Sequence, residues 1–97
     1  MHSSFLMKIF LDTADTDIIS KYFSTGLVDG VTTNPTLIMK SGKNPEDVYQ
    51  TIKDIGVRDI SMEVVGSDLE MYDEGLRLYQ KFGDVATIKV PCTRDGL

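Results

Sequence analysis

Four short apolar runs recur along the chain, and each is followed by a turn or helix-capping signal. The runs cover residues 8–12, 28–34, 59–65 and 85–90. Their polar ends are 22, 29 and 26 positions apart and lie at Asp12, Asn34, Glu63 and Lys89. Short apolar runs bounded by turn signals are typical of buried strands, and the spacing leaves room for one helix between successive strands. The pattern therefore predicts a series of βα units.

The segments between the runs carry helix start and stop signals. A first helix is predicted from about residue 15 to residue 24, ending before Gly26. A second begins after Asn44, which is a favourable N-cap, with Pro45 in the first turn and Gly56 as its end. A third begins after Ser67 in a capping box and ends at Gly83. Apolar side chains at helical spacing support the third helix; they are Leu69, Tyr72, Leu76 and Tyr79.

Strands that alternate with helices pair in parallel, which leaves an open doubly wound sheet or a barrel. Alternation along three of the strands puts polar side chains on one face and aliphatic ones on the other. The polar set is Asp12, Ser61, Glu63, Thr87 and Lys89. An open sheet covered on both sides requires two apolar faces, whereas a barrel tolerates polar groups inside its C-terminal mouth. We therefore predict an α/β fold whose parallel βα units form about half of a TIM (β/α)8 barrel.

Composition narrows the function classes. The 97 residues carry a net charge of -5, which offers no basic field for a nucleic-acid backbone. Cys92 is the one cysteine, so no internal disulfide forms and a cytoplasmic location is expected. No apolar stretch is long enough to cross a membrane. We expect one domain over residues 1–97, with 1–6 as an N-terminal extension.

Lys89 is the first candidate for chemistry, because it interrupts an apolar strand. Burial lowers the pKa of a lysine and leaves more free amine to attack a carbonyl. The alternative is an edge-strand lysine whose stem lies on apolar surface. Asp12 and Glu63 share the predicted face with Lys89 and are candidates for proton transfer or water positioning. The alternative is that each caps a helix or pairs with a lysine.

The segment 30–36 places hydroxyl and amide groups at a strand end before a proline. Thr32 and Asn34 are candidates to orient a polyol substrate there, and an ordinary Asn-Pro turn is the alternative.

Three segments, Leu-Asp-Thr-Ala-Asp at 11–15, Gly-Val-Thr-Thr-Asn-Pro-Thr at 30–36 and Ile-Lys-Val-Pro-Cys-Thr at 88–93, resemble the small transaldolase and fructose 6-phosphate aldolase family in order and spacing. The resemblance covers residues 7–97. It implies a class I mechanism without metal or other cofactor, in which Lys89 forms a Schiff base with a ketose and Asp12 handles the donor hydroxyl proton. Thr32 and Asn34 would hold donor hydroxyls.

The resemblance also assigns Glu63, which would help to hold the catalytic water. Glutamate at that position is typical of the transferases and glutamine of the aldolases. Dihydroxyacetone transfer between the sugar phosphates sedoheptulose 7-phosphate and glyceraldehyde 3-phosphate, in the pentose phosphate pathway, is therefore expected. A free aldolase and a non-catalytic half-barrel interaction module are the alternatives.

The chain departs from the family in length, because members are roughly twice as long. It ends where a fourth helix should begin, before the arginines that grip substrate phosphate. Arg94 is expected to lie on the surface, and Cys92 to be a packing residue. We therefore expect little activity from the chain alone, and association of copies through the open edges of the half-barrel.

Overall fold

A four-stranded parallel sheet forms the centre of the protein in the computed structural model, which describes residues 7–91. The strands, in their spatial order, are β1 (Phe10–Asp12), β2 (Gly30–Thr32), β3 (Ile60–Glu63) and β4 (Ala86–Lys89). The helices are α1 (Thr16–Phe23), α2 (Pro35–Lys40), α3 (Pro45–Ile55) and α4 (Asp68–Phe82). The predicted α/β fold is confirmed, since parallel strands alternate with helices as in part of a TIM-like barrel. The predictions for residues 1–6, Cys92 and Arg94 lie outside the described residues.

Side-chain caps fix where the helices begin. The Asp15 carboxylate accepts from the backbone N–H groups of Asp17 and Ile18 at the start of α1. At α3 the Asn44 side chain plays the same part, and Gly56 ends that helix with φ of 114°, a left-handed conformation that glycine adopts without strain. Such caps satisfy N–H groups that the helix itself leaves unpaired.

A complete capping box begins α4. The Ser67 hydroxyl accepts from the Glu70 N–H, and the Glu70 carboxylate accepts from the Ser67 N–H. The predicted starts of α1, α3 and α4 are therefore confirmed.

The core lies between one face of the sheet and the helices. Side chains on this face include Val31, Ile60 and Met62, which are fully buried. The helices contribute the buried residues Ile19, Ile38, Val48, Tyr49, Ile52, Leu78 and Phe82. The aliphatic face inferred from alternation is thus the face that the helices cover, as the barrel prediction requires.

Two features of the helices differ from the simple pattern. Helix α2 was not among the predicted elements, although Asn34-Pro35 repeats the N-cap and proline signal of Asn44-Pro45. Helix α4 packs on the sheet through Leu78 and Phe82 rather than through its regular apolar series. That series is exposed, with exposed fractions of 78%, 68%, 45% and 61% for Leu69, Tyr72, Leu76 and Tyr79. Within residues 7–91 no helix is both long and apolar enough to cross a membrane.

Candidate active site

The uncovered face of the sheet, which we call the polar face, carries the candidate chemistry. Strand register places Asp12 beside Thr32, Thr32 beside Ser61, and Ser61 beside Thr87. One pleat further toward the C-terminal ends, Glu63 lies beside Lys89. Register partners in parallel strands point to the same face, so Asp12, Thr32, Glu63 and Lys89 all belong to the polar face. Alternation alone had placed Asp12, Glu63 and Lys89 on one face, whereas Thr32 was a candidate because of its position at a strand end.

Asp12 is exposed and held by one neighbour. Its Oδ1 accepts a hydrogen bond of 3.0 Å from Thr32 Oγ1, on the adjacent strand. The N-cap of α1 is Asp15, so Asp12 does not cap the helix that follows it. The capping alternative for Asp12 is therefore wrong, and the carboxylate remains directed at the polar face.

Lys89 lies at the end of β4 and is exposed. The sequence left two possibilities, a buried amine and an exposed lysine on an edge strand, and in the described residues the side chain is exposed. The cause is topological, because β4 is an outer strand of the sheet and no described element covers the polar face. The backbone of Lys89 is nevertheless fixed, since its carbonyl accepts from Val64 N–H at 3.0 Å. Half-buried Glu63 is its neighbour on β3.

Asn34 has a structural use that competes with substrate binding. Its Oδ1 accepts from the N–H groups of Thr36 and Leu37 and so caps α2. This cap occupies the carboxamide oxygen, and any contact of Asn34 with a substrate would have to use its Nδ2 group. The two neighbouring threonines form different contacts. Thr32 faces Asp12, whereas Thr33 is buried and donates to the Ser61 carbonyl oxygen at 2.8 Å.

The base of the polar face contains two contacts that the sequence did not reveal. The Phe10 ring lies over Gly30, where an added Cβ would be 2.5 Å from Phe10 Cε2. Thr87 Oγ1 donates to Asp59 Oδ1 at 2.8 Å. Both contacts join adjacent strands, so the side chains below the candidate site stabilise the positions of the strand ends above them.

Asp12 and Lys89 lie on the two outer strands of the sheet, with β2 and β3 between them. They belong to the first and fourth strands, so three inter-strand steps of about 4.8 Å each separate them along the sheet. Glu63 and Lys89 are adjacent, and Asp12 and Thr32 are in contact. The structure therefore assembles two pairs of candidate residues on one face. Among residues 7–91, no three carboxylate, histidine or cysteine side chains group closely enough to hold a metal ion.

A cavity lies away from most of these residues, between α3, α4 and the end of β3. Its volume is about 460 Å³. Neither Asp12 nor Lys89 lines it, and Glu63 is the one candidate residue that does. Its wall is acidic and includes Glu46, Glu74 and Arg77. Most of the candidate residues therefore lie on the polar face and not in this cavity.

Ion pairs organise that cavity wall. Arg77 bonds Glu46 and Glu74 at 2.6 Å each, and Lys81 reaches Glu46 at 3.3 Å. The hydrogen bond from Arg77 is the main cause of a lowered pKa for the Glu46 carboxyl. Hydrogen bonds to Glu74 and Glu46 raise the pKa of Arg77. Burial raises the pKa of Tyr49, whose hydroxyl has no hydrogen-bond partner within the part of the chain that the structure describes.

Comparison with known proteins decides the lineage. The family model for transaldolase/fructose-6-phosphate aldolase matches residues 9–97. The chain belongs to this family. Transaldolase relatives include a probable transaldolase of Nitrosopumilus maritimus, 51% identical over 92 residues, and one of Anaeromyxobacter sp. strain K, also 51% identical over 92 residues. A third, from Caulobacter vibrioides, is 49% identical over 92 residues.

The matches cover nearly all of this chain but less than half of each relative. The matches span 94% of this chain but 41% of the Nitrosopumilus protein and 42% of the Anaeromyxobacter and Caulobacter proteins. The chain thus spans about two fifths of the length of its curated relatives. The transaldolase family resemblance drawn from the sequence motifs is confirmed.

Proposed function

We propose that this chain carries the Schiff-base lysine of a transaldolase site, and that the site transfers a dihydroxyacetone unit between sugar phosphates. The observation that carries the proposal is the placement of Lys89 on the polar face beside Glu63, with the Asp12–Thr32 pair on the same face. A nucleophilic amine, two carboxylates and a hydroxyl on one face are the groups that class I carbon–carbon cleavage requires.

The steps follow from these groups. The free amine of Lys89 adds to the ketose carbonyl, and loss of water gives an imine that is protonated to an iminium ion. Asp12 removes the proton of the donor hydroxyl next to the bond that breaks, and the electron pair of that bond moves into the iminium to form an enamine. The first aldehyde leaves. The enamine then attacks the acceptor aldehyde, Asp12 returns the proton, and water hydrolyses the new imine.

Glu63 supports transfer over free aldol cleavage. It lies beside Lys89 on the adjacent strand, where a carboxylate can orient the water that adds to the imine carbon. By the family resemblance, a glutamate here favours the transferase branch, with sedoheptulose 7-phosphate and glyceraldehyde 3-phosphate as substrates and the pentose phosphate pathway in the cytoplasm as the setting. The Thr32 hydroxyl donates to Asp12, and the proposal gives it a donor hydroxyl to hold as well.

The described residues offer few cationic side chains for binding the substrate phosphate. Their two arginines are Arg58, in the loop before β3, and Arg77, which is bonded to Glu46 and Glu74 on α4. Neither lies on the polar face. We therefore expect little turnover of phosphorylated sugars by the chain alone, and covalent trapping is the more direct test of Lys89.

The experiment is borohydride reduction of the chain in the presence of a ketose donor, followed by peptide mass spectrometry. The reduced imine is expected on Lys89. Lys89→Arg keeps the charge but lacks a nucleophilic amine at neutral pH and should abolish labelling, whereas Lys40→Arg, on α2, should not change it. Equal labelling of wild type and Lys89→Arg would refute the assignment. Absence of any adduct at saturating donor would favour the non-catalytic interaction module.

A further inference from the structure

Asp59, the residue before β3, is bonded to both neighbouring strands. Its backbone carbonyl oxygen accepts from Val31 N–H on β2 at 2.9 Å. Its Oδ1 accepts from Thr87 Oγ1 on β4 at 2.8 Å. Val31 precedes Thr32 in the chain, and Thr87 lies two positions before Lys89. Asp59 therefore links the strand that carries Thr32 to the strand that carries Lys89.

Thr87 and Lys89 belong to the same face of β4. Residues two apart on a strand point to the same side of the sheet and lie about 7 Å apart along the strand. Thr87 lies in register with Ser61, and Lys89 lies in register with Glu63. The Thr87 side chain is therefore the polar-face group that directly precedes the candidate nucleophile on its own strand.

The bond between Thr87 and Asp59 adds a side-chain link to the backbone bonds that join β3 and β4. One of those backbone bonds runs from Val64 N–H to the Lys89 carbonyl oxygen at 3.0 Å. Backbone bonds alone allow neighbouring strands a range of twist angles. A bond between side chains on the polar face narrows that range. Both partners lie within residues 59–89, so the link needs no segment outside the described residues.

We propose that Asp59 and Thr87 are positioning residues for Lys89. Their bond holds β4 against β3 at the angle that directs the Lys89 amine to the ketose carbonyl beside Glu63. The placement of the amine matters, because a displacement of about 1 Å can lower a rate about 10²-fold. This role rests on the proposed function, which makes Lys89 the nucleophile and gives Asp59 and Thr87 no part in the chemistry.

Two substitutions of Asp59 separate position from charge. Asp59→Asn removes the negative charge but keeps a side-chain oxygen that can accept from Thr87, whereas Asp59→Ala removes both. Positioning requires the asparagine variant to act like wild type and the alanine variant to act like Thr87→Val. The double variant Asp59→Ala/Thr87→Val should be no slower than either single variant, because each one already breaks the same bond.

Borohydride trapping of the intact chain with dihydroxyacetone, which carries no phosphate, measures the effect. Mass spectrometry follows the rate at which the reduced adduct accumulates on Lys89 at several donor concentrations. Thr87→Val, which lacks the hydroxyl, should lower the limiting rate at saturating donor at least about fivefold. The half-saturating concentration should change less than about twofold, because Thr87 does not hold the donor. Thr87→Ser keeps the hydroxyl and should restore the limiting rate.

Thr51→Val is the matched control, because it removes a threonine hydroxyl that donates to the Asp47 carbonyl oxygen at 3.0 Å on α3. It should leave the limiting rate within about twofold of wild type. Circular dichroism confirms that each variant is folded, and if Thr87→Val is not, the two Asp59 variants decide the question.

The outcomes separate this role from the proposed function. An adduct that forms on Lys89 at equal limiting rates in wild type and Thr87→Val would overturn the positioning role and leave the proposed function standing. Equal losses in Asp59→Asn and Asp59→Ala would assign the effect to charge and would also overturn it. Absence of an adduct on wild-type Lys89 would refute the proposed function, and the positioning role with it.

Discussion

The buried hydroxyl of Tyr49 provides a sharp test of how the core is assembled. The ring is 1% exposed and packs edge-on against Phe82, with centroids 6.0 Å apart and planes at 86°. Its hydroxyl is buried, and none of residues 7–91 forms a hydrogen bond with it. The nearby Thr33 hydroxyl offsets part of the rise in the Tyr49 pKa. Its own proton, however, is donated to the Ser61 carbonyl oxygen and not to Tyr49. An unsatisfied buried hydroxyl costs about 1–3 kcal/mol.

Tyr49→Phe keeps the ring and removes the unpaired group, so it should raise the free energy of unfolding. Loss of the oxygen leaves a small void that offsets part of the gain, and we expect a net increase of about 1 kcal/mol. Urea denaturation followed by circular dichroism, at one protein concentration, measures the difference. A decrease of about 1 kcal/mol or more would refute the reasoning, because it would show that the hydroxyl has a partner.

A double-mutant cycle and a pH series test whether the unpaired hydroxyl is the cause of the stability gain in Tyr49→Phe. If Tyr49 and Thr33 share no hydrogen bond, Tyr49→Phe and Thr33→Val should couple by less than about 0.5 kcal/mol. Burial raises the folded-state pKa of Tyr49 above its ordinary value of 10.0. The unfolded chain therefore loses this proton first, and stability falls as the pH rises above about 10. Tyr49→Phe lacks that loss, so its advantage over wild type should grow in this range.

Two further predictions concern the ion pairs and the base of the polar face. Because the pKa of Glu46 is lowered in the folded state, its carboxylate stabilises the protein above a pH of about 4.5, and this contribution is lost as the pH falls. Acid titration of unfolding should show a smaller loss for Glu46→Gln than for wild type, and equal losses would contradict the pairing. Gly30→Ala should cost about 1–3 kcal/mol, since its Cβ would lie 2.6 Å from the Asp59 carbonyl oxygen. Gly75→Ala is the control, because its added Cβ would be 3.3 Å from the nearest atom. It should change the free energy of unfolding by less than about 1 kcal/mol in chemical denaturation. Equal effects of the two substitutions would exclude the steric cause.

Local signals predicted much of the fold. Asn44, Ser67 and the acidic start of α1 mark helix ends because their side chains bond nearby backbone groups, and such bonds need no distant partner. Alternation along β3 separated Met62 from Glu63 correctly, because neighbouring side chains on a strand point to opposite faces. These features depend on a few adjacent residues, which is why a single sequence contains them.

Features that depend on distant residues were not predictable in this way. The choice between a buried and an edge-strand Lys89 depends on the place of β4 at the outside of the sheet, and no local pattern records that place. The exposed side of α4 follows from the packing of Gly75 close to Ile88, so that the helix face chosen by the sheet differs from the most regular apolar series. Helix α2 is different, since its signal at Asn34-Pro35 was present but was interpreted as a substrate-binding group or an Asn-Pro turn.

The separation of the two sheet faces affects how this protein can change over evolution. On β3, Ile60 and Met62 hold the core while Ser61 and Glu63 lie on the polar face, so neighbouring positions in the sequence are under different constraints. A substitution on the polar face has little effect on packing, whereas one at a core position disturbs it. Under the proposed function, a single substitution on the polar face can therefore change the reaction preference without compensating changes in the core.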